Sequence, residues 1–197
     1  MMSMCPLRLS WNALILASAL IFAPGLTYAG MSVEEVMQFR EYLAKAEKGE
    51  RSAQELVAFH YEIGTGTPSD YSEAAQWFHK AAEQGSVVSQ LRLGTYYIKG
   101  SGVKKDAESA VSWFRKAAMN GNASAQIKLG ECLESGIGIE KDLIEAYAFY
   151  SVASIINQDG PKKRGELRAK LSKAQIESAQ RRSISLLQEI EAKKTGK

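Results

Sequence analysis

The chain is predicted to be all-α: an α/α solenoid of three helix pairs, closed by capping helices at its N- and C-termini. Three observations predict it. Gly49, Gly85 and Gly121 stand 36 residues apart, and the same step links Gln54, Gln90 and Gln126, Asp70, Asp106 and Asp142, and Ala81, Ala117 and Ala153. Within each copy the apolar residues recur at spacings of three and four, which puts them on one helical face. No stretch of useful length alternates with period two, so strands are not expected. A fixed period in this range marks an array whose units bury their apolar faces only against their neighbours.

Residues 1–29 read as a leader outside the fold. Arg8 gives a small positive start, Ala13 to Ala23 is an eleven-residue apolar run broken only by Ser18, and Thr27-Tyr28-Ala29 is a small-x-small cleavage site. This is the pattern of a secretory signal peptide with cleavage after Ala29. The run is shorter than the roughly 20 residues that span a bilayer; an uncleaved anchor is the other reading. Export makes the expected location periplasmic or secreted, with no integral membrane segment after signal cleavage.

Residues 30–48 are expected to hold the N-terminal capping helix. Ser32 and Glu35 form a capping box,. Tyr42, Ala46 and Gly49 fall 36 residues before Phe78, Ala82 and Gly85, so this helix looks like the second half of a worn leading copy. The copies themselves run 49–84, 85–120 and 121–156. Helix A is placed at about 51–63, 87–99 and 123–135, and helix B at about 70–84, 106–120 and 142–157. Gly64, Gly100 and Gly136 end the A helices, because glycine takes the left-handed terminal conformation without a Cβ penalty,. Asp70, Asp106 and Asp142 start the B helices by accepting from free backbone N–H groups,. Small Ala110, Ala117 and Ala118 let a neighbouring helix approach, and Trp113 and Phe114 fill the wider gaps.

Residues 158–197 should supply the C-terminal caps and a basic tail. Gly160-Pro161 is expected to break the chain before a short helix at about 162–171. Ser172 and Gln175 form a second capping box, starting a helix that carries Ile176, Ala179, Ile184, Leu187 and Ile190,. The charge is unevenly divided. Residues 30–160 carry 13 basic and 18 acidic side chains, whereas residues 161–197 carry 11 basic and 4 acidic. The basic end could meet an acidic partner, a lipid surface or a nucleic acid, or could be a solvated face with a frayed tail. Export argues against nucleic acid. Past the leader only Cys132 remains, which excludes an intramolecular disulfide and leaves packing to hold the fold,.

The second copy reads Ser89-Gln90, Leu93-Gly94, Tyr97, Gly100, Gly102-Val103, Asp106, Ala110, Trp113-Phe114, Lys116-Ala117-Ala118 and Gly121. This pattern, present over residues 49–156, resembles the Sel1-like repeat family, which is related to the tetratricopeptide arrays. The resemblance implies an α/α scaffold acting as an adaptor in the bacterial envelope, a regulator of signalling or a factor met by host cells. Local departures are Ala58 for the helix-A glycine, Leu133 for the tyrosine, and Val152 and Asn157 at the close of the third copy.

No catalytic, cofactor or metal site is expected. Gly64-Thr65-Gly66 and its equivalents follow helices, not strands, which makes them turns and not phosphate loops,. His60 and His79 belong to no metal-spaced cluster,. Cys132 reads first as an inert packing residue and second as a thiol pairing between chains. Some relatives of the family are linked to β-lactam binding or hydrolysis, but they carry paired cysteines. The fragments Ser101-Gly102-Val103-Lys104 and Lys194-Thr195-Gly196 echo a serine acyl-enzyme signature without its Ser-Asp-Asn part,. A wall-associated or weak β-lactam-binding protein is therefore the alternative function.

Helix A usually lines the concave face of such a solenoid. The expected partner surface is Phe59, His60, Arg92, Tyr96, Lys99, Lys128 and Glu131, beside Leu56, Ile63, Thr95, Cys132 and Ser135. Its occupant is a protein or peptide. Leu56, Phe59 and Ile63 have a second reading, in which they pack under the N-terminal helix.

Overall fold

A computed structural model describes residues 30–196; the leader expectation lies outside them. The helices, in order, are α1 Val33–Glu47, α2 Arg51–Ile63, α3 Tyr71–Glu83, α4 Val87–Lys99, α5 Ala107–Met119, α6 Ala123–Ser135, α7 Leu143–Ala153, α8 Asp159–Arg168 and α9 Lys173–Thr195. Each A helix (α2, α4, α6) packs on its own B helix (α3, α5, α7); α3 and α5 pack on the next A helix, and α7 packs on α8 and α9.

Local chemistry sets these boundaries as expected. Asp70, Asp106 and Asp142 accept from backbone N–H groups of the first B-helix turn. Gly64, Gly100 and Gly136 end the A helices at φ 76°, 76° and 73°. The second glycine of each turn has a different task. A Cβ on Gly66, Gly102 or Gly138 would lie 2.2, 2.0 or 2.2 Å from a carbonyl oxygen of Glu35, Tyr71 or Ala107. The turn therefore rests directly on the backbone at the start of the preceding B helix, and a side chain there would hold it off.

The repeated glutamine forms the joint between copies. Gln54, Gln90 and Gln126 each donate from Nε2 to the carbonyl of Ala46, Ala82 or Ala118, every time at 3.2 Å. Each of these carbonyls also accepts from the backbone N–H of Gly49, Gly85 or Gly121, so the amide fills the second acceptor site of a helix-end carbonyl and is itself satisfied in a buried seam,. Gln84 in turn donates to Gln54 Oε1 at 2.7 Å, and Asn120 to Gln90 Oε1 at 3.4 Å.

The ends are closed differently. On α1 the residues 36 places before Ala74, Trp77, Phe78 and Ala81 are Gln38, Glu41, Tyr42 and Lys45. Gln38 donates to Tyr42 at 3.0 Å and Lys45 pairs with Glu41 at 2.7 Å. The face that would receive a leading A helix is polar and self-satisfied. At the other end α9 packs along α7, covering a helix whose Tyr147, Ala148, Phe149, Tyr150 and Val152 are all buried. Arg182 of α9 reaches Glu145 of α7 at 2.6 Å and Glu189 on its own helix at 2.6 Å.

Three expectations are corrected. The third B helix ends at Ala153, not 157, and Ser154 turns its hydroxyl back onto the Tyr150 carbonyl. Gly160-Pro161 does not break the chain but lies in the first turn of α8, where proline's missing N–H costs no bond,. Gly160 is required there, since a Cβ would meet Ser154 N at 2.6 Å. The Lys-rich end is not frayed: α9 continues to Thr195, and Lys194 lies over Gly121.

Candidate functional site

The A helices present the positions singled out from sequence, but not all on one surface. Repeat position 60/96/132 turns into the seam against the preceding B helix. His60 packs its ring on Phe39 and Tyr42 of α1, at 5.7 and 5.6 Å, and donates from Nδ1 to the Thr65 carbonyl at 2.6 Å. Tyr96 is 3% exposed and packs edge-on against Phe78 and Tyr71 of α3. Its hydroxyl stands beside the Glu62 carboxylate without a hydrogen bond of ordinary length, and burial, then that carboxylate, holds the phenol well above the usual tyrosine range. Cys132 is buried too, and burial, then Glu131, pushes its thiol up. The reason is periodic: a residue one turn before the end of helix A faces the B helix it leans on. His60 and Tyr96 therefore support the surface from beneath and do not line it.

Positions 56/92/128 and 59/95/131 do face outward. Phe59 is half-buried, edge-on to Phe78 at 5.1 Å, with the Arg92 guanidinium over its ring at 5.2 Å. Arg92 also pairs with Glu62 at 3.3 Å; Arg92 is 45% exposed, Glu62 only 14%. The cation thus ties α2 to α4 while keeping one side in water. Lys99 is exposed on the same face of α4, seven residues on,. Leu56 and Ile63 remain 39% and 68% exposed, so these two do not pack under α1.

The third copy is different. Glu131 receives both Lys128, at 2.9 Å, and Lys163 of α8, at 2.8 Å. Burial alone would raise the Glu131 carboxyl, but the bonds from Lys163 and Lys128 outweigh it and hold it below the usual range. Glu134 takes Lys170 at 2.6 Å and the Tyr150 hydroxyl at 3.1 Å. A cleft of about 220 Å³ remains between α6 and α8, lined by Ile127, Lys128, Glu131, Asn157, Asp159 and Lys163 among others. Part of the basic C-terminal surplus is therefore used within the chain, on acidic side chains of the third copy. Sequence reading missed Glu62, Glu134 and Lys170, because none occupies a position repeated in all three copies. Glu62 and Glu134 do share one register position, and that was the available signal.

The other chemistry-bearing strings lie apart. Ser101 and Lys104 sit in the turn after α4, whereas Lys194 lies against Gly121 at the opposite end of the helix layer. A 13-residue helix separates those ends by roughly 20 Å,. Among the described residues no group of His, Cys, Asp and Glu could hold a metal ion, and no helix is long and apolar enough to cross a membrane.

The Sel1 repeat pattern matches residues 51–86, 87–122 and 123–154. No curated protein matches the chain. A Sel1 repeat protein from Oxalobacter formigenes is 34% identical with a TM-score of 0.61, over 66% of this chain and 98% of that one. The chain is also similar to c5321, a protective antigen present in uropathogenic Escherichia coli strains that displays an SLR fold. That match is 28% identical with a TM-score of 0.52, over 77% of this chain but only 41% of c5321. Helicobacter pylori cysteine rich protein B shares the fold at 21% identity, with a TM-score of 0.54 over 71% of this chain and 98% of that one. Sel1 repeats typically mediate protein–protein interaction, and their scaffold is generally non-enzymatic. Three matched copies, built as stacked helix pairs with a shared glutamine joint, make this chain a member of the Sel1 repeat family.

Proposed function

We propose that the protein is exported by its leader and acts as a non-enzymatic adaptor in the cell envelope or at the host surface, holding a protein or peptide partner on its helix-A face. The observation that carries the reading is the outward row on α2 and α4. Leu56, Phe59 and Ile63 stand beside Arg92 and Lys99, with no element of the described chain covering Leu56, Ile63 or Lys99. Aromatic and arginine side chains on a rigid helix scaffold are the residue types that carry most binding energy at protein interfaces.

Two measurements test it. Fractionation of cells expressing the full chain, with mass spectrometry of its N-terminus, should find the product outside the cytoplasm and starting at Gly30. A cytoplasmic chain that keeps Met1 would end the export half of the reading. A photocrosslinking residue at Lys99 should trap a discrete partner, and one at Arg115 on the B-helix side should not. Equal trapping from both positions would dismiss the helix-A face as the site.

A further inference from the structure

We propose that the open helix-A face takes a segment of another protein that is apolar at one end and acidic at the other, with its apolar end on the first repeat. The inference rests on the adaptor reading and adds the chemistry and polarity of the partner.

The face is not free along its whole length. At the third repeat α8 stands beside α6, Lys163 holds Glu131, and Lys170 holds Glu134. The open part is α2 and α4. Leu56, Phe59 and Ile63 fall at i, i+3 and i+7, on one face of α2,. Tyr71, 49% exposed, begins α3 nearby and packs on Tyr96 beneath α4. On α4 the outward residues are Val88, 41% exposed at the start of the helix, then Arg92 and Lys99.

The charge changes along the row. Position 56/92/128 reads Leu56, Arg92, Lys128 from the first repeat to the third. The carboxylates close to it are engaged. Glu55 accepts from the Ser86 and Ser89 hydroxyls in the seam between α2 and α4. Glu62 is mostly buried and bound by Arg92. From Arg92 to Lys99 what faces water over the second repeat is therefore positive, whereas Leu56, Ile63 and the neighbouring Val88 make the adjoining part of the row apolar. Arg92 is held in place by the Phe59 ring and Glu62, so it meets an incoming carboxylate already oriented,. Closely packed helices lie about 10 Å apart, which is the least separation for α2 and α4, since these meet through side chains, and an extended chain advances about 3.3 Å per residue,. A partner residue anchored on α2 and an acidic one anchored on α4 are then at least about three to four residues apart.

The test is selection of a random peptide library displayed on phage against the full chain, followed by anisotropy titration of the enriched peptides as synthetic probes. Enriched peptides should pair an apolar cluster with an acidic one at that spacing, and their affinity should fall as salt rises. Arg92→Glu with Lys99→Glu should weaken binding at least about tenfold, and Leu56→Ser with Ile63→Ser should do the same. Circular dichroism shows that the variants fold; because Arg92 also ties α2 to α4, Lys99→Glu alone should weaken binding as well, with the melting temperature unchanged. Enriched peptides that are basic or uncharged, or that ignore the Arg92/Lys99 pair, overturn the inference. If they still lose affinity in the Leu56/Ile63 pair, the adaptor reading survives it. Failure to enrich any peptide also overturns it, and photocrosslinking at Lys99 then decides the adaptor reading separately. Self-association of the purified chain that both variant pairs abolish would make the face a contact between copies and would overturn it as well.

Discussion

Replacing Gly102 by alanine should be far more damaging than replacing Gly100, two residues away in the same turn. Both have positive φ, 66° and 76°, so each alanine carries the left-handed penalty of about 1–2 kcal/mol,. Their surroundings differ. A Cβ on Gly100 meets nothing nearer than Lys105 Cβ at 3.4 Å, an ordinary contact. A Cβ on Gly102 would stand 2.0 Å from the Tyr71 carbonyl oxygen and 2.2 Å from its carbon, both backbone atoms at the start of α3. Since carbon and oxygen settle at about 3.3 Å, the turn must retreat by about 1.3 Å. That retreat opens the packing between consecutive repeats, and overpacking of this kind costs about 1–3 kcal/mol beyond the backbone strain. Gly102→Ala is expected to lose about 2–5 kcal/mol in all, a large share of a typical folding free energy of about 5–15 kcal/mol. Urea unfolding followed by circular dichroism gives both values. Equal losses for Gly100→Ala and Gly102→Ala would refute the close-approach argument.

Three further outcomes are expected. Gln90→Ala removes the side-chain donor to the Ala82 carbonyl, which keeps the Gly85 N–H, and should cost about 0.5–1.5 kcal/mol in the same unfolding assay, whereas the exposed Gln180→Ala should cost almost nothing,. Glu131 and Glu134 are held below the usual carboxylate range; for each, burial opposes the shift and the lysine bonds prevail. A lowered folded pKa contributes stability that is complete above the unfolded value near 4.5 and is lost as pH falls through the folded value,. Protection of α8 against hydrogen exchange, taken relative to the intrinsic rate at each pH, should therefore fall below about pH 4.5 before that of α9, and Lys163→Met with Lys170→Met should flatten that dependence. Cys132, buried and with its thiol pushed up, should resist a thiol-specific disulfide reagent in the native protein and react fully in urea,. Fast native labelling would contradict its burial.

The helix pairs were legible because each boundary rests on a local residue type: an aspartate at the start of helix B, a glycine at the end of helix A, and an apolar stripe between. The A-helix limits agree with the structure to the residue at all three copies. Boundaries were misplaced only where the repeat ends, at residues 153–171, because the signals there depend on a tertiary neighbour. Gly160-Pro161 looks like a breaker until Ser154 is seen against Gly160. The candidate surface was half legible. Helical spacing identified which residues leave the A/B stripe, but it could not separate water from the neighbouring copy. That is why His60 and Tyr96 were grouped with Arg92 and Lys99. Position 60/96/132 holds histidine, tyrosine and cysteine, and no shared residue type announces that it faces a seam.

The glutamine joint bears on how such a chain changes length over evolutionary time. Its geometry is the same at each junction: one amide, one alanine carbonyl, one distance. A duplicated segment of 36 residues arrives with its own amide and its own carbonyl, so it can join the copies on either side without any new residue being selected. Gain or loss of whole units is then tolerated where gain or loss of a few residues is not. The next place in the register is Lys162, which has no amide to offer. Growth by duplication would have to occur on the N-terminal side of that residue, leaving α8 and α9 as they are while the helix-A face lengthens ahead of them.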